Sequence, residues 1–121
     1  LNFYQMREGL YSTKPDLKRE IKATFDLHSG DFFVPSVLIA DADGDGIDDL
    51  LVQEGEDRLN VFLGSGGASL FLKSPTVINV HMPSDPELTV VADLNRDGKV
   101  DLVMRHEPSA GPKKIVILVS E

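Results

Sequence analysis

Asp41-Ala42-Asp43-Gly44-Asp45-Gly46-Ile47-Asp48-Asp49 and, further along, Asp93-Leu94-Asn95-Arg96-Asp97-Gly98-Lys99-Val100-Asp101 are two copies of one acidic loop. Both read D-x-[DN]-x-D-G-x-x-D. Oxygen side chains at positions 1, 3 and 5, a glycine at 6 for the sharp turn, a carbonyl at 7 and a carboxylate at 9 form a donor set that encircles a hard divalent cation, most naturally Ca2+. The first copy offers Asp41, Asp43, Asp45 and Asp49 with the carbonyl of Ile47; the second offers Asp93, Asn95, Asp97 and Asp101 with the carbonyl of Lys99. Carboxylates packed this densely repel one another unless a cation sits among them. Asp48 faces away in this register. Asn95 removes one charge from the second loop, and Arg96 and Lys99 add positive charge nearby, so the second of the two sites is expected to bind more weakly. The competing reading is an Asp/Gly-rich turn whose carboxylates only cap backbone N–H groups.

The flanks decide what kind of loop this is. An EF-hand loop closes with a bidentate Glu at position 12 and lies between helices; here that position holds Val52 in one copy and Met104 in the other. Each loop joins short apolar runs instead: Val37-Leu38-Ile39-Ala40 to Leu50-Leu51-Val52, and Leu88-Thr89-Val90-Val91 to Leu102-Val103-Met104. Runs so short and rich in Val, Ile and Leu read as buried strands.

The repeat extends past the loops. Arg58–Leu63, a turn at Gly64-Ser65-Gly66-Gly67 and Ala68–Leu72 follow the first. The chain opens in the same order, with Leu1–Met6, a turn at Gly9 and Leu10-Tyr11, and it ends with Lys113–Val119 after a turn spanning Pro108 to Pro112. With strands A and B flanking the loop and C and D after it, the order is C-D, A-B-C-D, A-B-C. Strand D is the least marked, because Lys14–Leu27 and Ser74–Met82 are weakly patterned and interrupted by Pro15 and Pro75. A short helical turn within Pro15–Phe25 is the alternative there. The glycine-rich stretch reads as a tight turn between C and D rather than a phosphate cradle.

An all-β fold of antiparallel four-stranded β-propeller blades follows, one full blade and two partial ones. Residues 1–33 would end a preceding blade, 34–82 form a full blade around loop 41–49, and 83–121 form a partial blade around loop 93–101, all within a single repeat domain. Asp41–Asp49 followed by Val61-Phe62-Leu63-Gly64, and Asp93–Asp101 again, resemble the FG-GAP and VCBS-type repeats of integrin α-subunit propellers and of bacterial exported propellers. The resemblance implies calcium pinning the A–B loop of each blade, a location outside the cell, on its surface or in the periplasm, and a role in binding or adhesion. Propellers close with about 4–8 blades, so the remainder of a ring, or another copy of the chain, is the expected structural partner.

Composition narrows the function classes. The first loop carries five Asp and the second three, which together account for the whole net charge of −8; the rest of the 121-residue chain is balanced. Nucleic acid wants a basic face, and no basic amphipathic helix or long apolar run suits a membrane. There is no Cys, so no disulfide forms. The chain starts at Leu1 without a leader pattern, which suggests a processed product or an excised fragment. His28, His81 and His106 are scattered, read as surface or turn residues, and have no second ligand at metal spacing. No nucleophile motif is present and the clustered carboxylates are claimed by the metal, so a non-enzymatic module recognising protein or glycan is expected. The alternatives are an accessory module of an exported enzyme, or a metal-free β-sandwich.

Overall fold

The computed structural model describes residues 1–121. The N-terminal region forms six two-residue strands: β1 (Asn2–Phe3), β2 (Met6–Arg7), β3 (Leu10–Tyr11), β4 (Leu17–Lys18), β5 (Thr24–Phe25) and β6 (Phe32–Phe33). Seven longer strands follow: β7 (Val37–Ala40), β8 (Asp49–Gln53), β9 (Arg58–Phe62), β10 (Thr76–Asn79), β11 (Thr89–Ala92), β12 (Asp101–His106) and β13 (Lys114–Leu118). The helical content is a single 3-10 turn, Pro86–Leu88, capped by the Asp85 carboxylate on the Glu87 N–H.

The longer strands make two antiparallel sheets, β10-β9-β8-β7 and β11-β12-β13. The acidic loops are the β7–β8 and β11–β12 connections. In both, the last pair before the loop matches Ala with Asp: Ala40 opposite Asp49, and Ala92 opposite Asp101. Each loop therefore springs from the same register pair, and the strands flanking it repeat the same pairing in both sheets.

Residues opposite one another across an antiparallel pair share a face, so register assigns the faces. In the first sheet Leu38, Leu51 and Val61 lie in one row, and Gln53 and Leu59 in the next. In the second, Thr89, Met104 and Val116 form one row, and Val91, Leu102 and Leu118 another. These two faces meet. Leu51, Leu59, Val61, Met82, Leu102 and Met104 form the main core, with Leu38, Ile78, Val91, Val116 and Leu118 packed on its margin.

The other face of the first sheet carries Leu50, Val52 and Phe62, which with Phe71 make a second cluster covered by Phe3, Leu17 and Ile21. Phe3 meets Phe71 edge-on with ring centres 5.3 Å apart, and the Arg19 guanidinium lies 3.8 Å over the Phe62 ring. The N-terminal segment is thus the lid of the first sheet, held by one aromatic pair and one cation–π contact.

Two local expectations change, and one alternative drops out. Pro15–Phe25 is extended, as its strand reading expects, and holds no helical turn: Leu17–Lys18 pairs with Asn2–Phe3, and Thr24–Phe25 with Phe32–Phe33. Phe3, already edge-on to Phe71, stands opposite Leu17 in this pairing, so the extended segment brings both side chains onto the second cluster. The outer strand of the first sheet is Thr76–Asn79, and Ala68–Leu72 is not a strand. Gly64-Ser65-Gly66-Gly67 therefore does not join two sheet strands directly; it opens a folded excursion in which Gly64 bridges Phe71 and the Leu72 N–H donates to the Leu63 carbonyl at 2.8 Å. That excursion tucks Phe71 under the first sheet.

Leu59 is fully buried in the main core, whereas Leu10 is 75% exposed. Leu59→Ala is expected to cost about 2–5 kcal/mol in chemical denaturation, and Leu10→Ala well under about 1 kcal/mol. Equal costs would contradict the assignment of the core.

Candidate metal centre

Each loop is organised by its own carboxylates. Asp41 Oδ1 accepts from the Gly44 N–H at 2.7 Å and Oδ2 from the Gly46 N–H at 2.8 Å; Asp93 accepts in the same way from Asp97 (3.2 Å) and Gly98 (3.1 Å). Asp43 accepts from the Asp45 N–H and Asp45 from the Ile47 N–H, and Asn95 and Asp97 repeat this with the N–H groups of Asp97 and Lys99. These turns wind the chain around its own oxygens. Position 6 requires a left-handed backbone, φ +83° at Gly46 and +87° at Gly98, which glycine adopts without steric cost.

The carboxylate at position 9 does something different. Asp49 and Asp101 are each 1% exposed. Asp49 Oδ2 accepts from the Ala42 N–H at 2.8 Å and Oδ1 from the Gly64 N–H at 2.6 Å. Asp101 Oδ2 accepts from the Leu94 N–H at 2.8 Å and Oδ1 from the Ser120 N–H at 2.9 Å, with the Ser120 hydroxyl at 3.2 Å. One buried side chain thus ties the loop's second residue to the residue just beyond strand C. The Leu94 and Ser120 N–H groups hold the Asp101 carboxyl below the usual carboxylate range, and they outweigh the burial that pushes it up.

Capping does not exhaust a carboxylate, which has about four lone-pair sites. In the first loop Asp41, Asp43 and Asp49 bring one oxygen each to within 4.8 Å of one another. Three anionic oxygens converging in this way form a donor set that fits a hard divalent cation. Asp45 is exposed and engages the Ile47 N–H, and Asp48 is exposed. In the second loop Asn95 stands where the first has Asp43, so the corresponding positions hold only two carboxylates, Asp93 and Asp101. The Asn95 amide instead turns its Nδ2 to Asp97 Oδ2 at 2.8 Å, supplying a hydrogen bond where the first loop has a carboxylate.

The loops also touch. The Val100 N–H donates to the Asp41 carbonyl at 3.0 Å, and the aliphatic stem of Lys99 lies on Gly44, where a Cβ would come within 3.0 Å of it. The Lys99 ammonium reaches the Glu121 carbonyl at 2.7 Å. Sequence spacing gave no sign of this contact, nor of Ser120 as a donor. Gly64 did carry a signal: a Cβ there would come within 2.6 Å of the Asp48 carbonyl and 2.5 Å of the Ile47 side chain, so only glycine allows its N–H to reach Asp49.

His106 departs from the surface placement expected of it. It is 8% exposed, and its ring stacks on that of His81. His28 is fully exposed at its side chain.

Two stacked antiparallel sheets with one acidic loop repeated at the same register define a β-sheet repeat protein. The FG-GAP-like repeat family matches residues 41–104, just over half of the chain, and the chain belongs to that family. No curated protein and no solved structure matches it. No helix is long and apolar enough to cross a membrane.

The buried Asp101 bonds have a pH signature. A folded carboxyl held below its ordinary 3.8 contributes stability that is present above that value and lost as pH falls through the folded value. Asp101→Asn in chelator should be less stable than wild type near neutrality and lose less stability on acidification from about pH 6 to about pH 3. Denaturant midpoints across that range measure it, and parallel curves would count against the carboxylate's role.

Proposed function

We propose that this chain is a non-enzymatic, calcium-stabilised segment of a β-propeller, carried by an exported or cell-surface protein and used to recognise a protein or glycan. The convergence of Asp41, Asp43 and Asp49 oxygens carries the cation reading. When bound, calcium would supply charge neutralisation and a fixed loop geometry. Asp41, Asp43, Asp45 and Asp49 with the Ile47 carbonyl would hold one ion, and Asp93, Asn95, Asp97 and Asp101 with the Lys99 carbonyl a second, weaker one. Loops lacking a Glu clamp suit calcium at about 10⁻⁴ M or above, which favours an extracellular setting.

The propeller reading is supported by the sheet faces. Leu51, Leu59 and Val61 of the first sheet are buried by the second. The matching positions of the second sheet, Val103, Ile115 and Ile117, share a face with Val90, and Ile115, Ile117 and Val90 are all more than half exposed. The same apolar face is thus presented twice and covered once, as expected where a further blade continues the stack. In this reading residues 34–82 are one full blade, 1–33 the end of a preceding one and 83–121 the start of the next.

Thermal unfolding with chelator and with millimolar calcium tests the cation. Calcium at about 100-fold over its Kd should add ~2.7 kcal/mol per site, and Asp41→Asn should abolish the first loop's share. Coincident curves in chelator and calcium would sink the proposal.

A further inference from the structure

His81 follows β10 of the first sheet, and His106 ends β12 of the second. Their rings lie 5.4 Å apart and within 12° of parallel. His81 Nδ1 is 2.7 Å from Asp57 Oδ1, a partner that places the proton on that nitrogen. The segment bearing His81 is clipped to the β8–β9 turn by two backbone bonds, Val80 N–H to the Asp57 carbonyl at 3.2 Å and Met82 N–H to the Glu56 carbonyl at 2.8 Å. Met82, next to His81, is 2% exposed in the core between the sheets. A cleft of about 500 Å³ lined by Glu56, His81, His106, Glu107 and Lys114 admits solvent beside the pair.

We propose that the stacked His81–His106 pair is a proton-operated latch on the seam between the two sheets, closed near neutral pH and loosened by acidification. Neutral rings stack favourably. A proton on His106 would put an imidazolium flat against His81 and beside Lys114, which stands opposite His106 in the β12–β13 register. The surrounding carboxylates do not offset this. Asp57 is engaged by His81; Glu107 is paired with Arg105 at 3.2 Å and Lys113 at 3.1 Å; Glu56 lies on the cleft wall. Burial first, then His81 and Lys114, hold His106 below its ordinary 6.5. Stability from the neutral ring is therefore complete above that value and lost as pH falls below it toward the folded value.

The test is amide exchange of the whole chain, corrected for intrinsic rate, at about pH 7.5 and about pH 5.5. Protection of the Val80 and Met82 amides in the wild type should fall more than about threefold on acidification. In His106→Gln the fall should vanish, and in His81→Gln, whose side chain is 59% exposed, it should shrink. His81→Gln and an NMR titration of the His106 ring carry the test if the buried variant does not fold. Unchanged protection in the wild type, the same fall in the variants, or a His106 ring titrating at or above 6.5 would overturn the latch.

Discussion

Mutual repulsion of carboxylates inside a short turn is the constraint on which the rest of the molecule depends. Two strands must zip together on either side of each acidic loop, and the first strand after it begins with a buried aspartate, Asp49 or Asp101. An anion at that depth survives only if it is hydrogen-bonded. Both are, and by the same pair of donors: an N–H from the start of the loop and an N–H from beyond strand C. The side chain that would be hardest to bury becomes the one that joins three segments of a sheet. Together with it, the acids left at the mouth of the turn would give the proposed cation its ligands.

From that register the packing follows. Because each loop springs from an Ala–Asp pair, the two sheets repeat the same register, and they stack front to back: the Leu51–Leu59–Val61 face of one meets the Leu102–Met104 face of the other, which matches the Leu50–Val52 face of the first. The contact between Val100 N–H and the Asp41 carbonyl then brings the second loop against the first. Ordering of one loop is physically linked to the other through a backbone bond, not only through the shared field of their charges. At the far end of the seam the histidine pair spans the same two sheets.

The strands around both loops were legible in the sequence, since short β-branched runs on either side of a D-x-[DN]-x-D-G turn leave little else for the chain to do. All-β character and antiparallel pairing came from the same pattern. The outer strand Thr76–Asn79 was poorly marked because its alternation is weak, with only Ile78 turned to the core margin. The N-terminal lid was obscure for a related reason: two-residue strands such as Asn2–Phe3 have no period to read, and their placement comes from Phe3, Leu17 and Arg19 meeting a sheet face distant in sequence. Among the candidate ligands, the convergence of Asp41, Asp43 and Asp49 matches their spacing, while the turn of Asn95 toward Asp97 is a side-chain choice that spacing does not encode. Nothing in the sequence around His106 marks it as more than a surface or turn residue, and its burial is visible only once β12 is laid against the chain leaving β10.

The most direct measurement is a calcium titration of the chelator-treated protein followed residue by residue through backbone amide shifts. The account predicts saturable shifts confined to 41–49 and 93–101 and the residues tied to them, Gly64 and Ser120, with the first loop saturating at lower calcium than the second. Amides of both loops that stay fixed up to about 10 mM calcium, well above the range of weak extracellular modules, would contradict it.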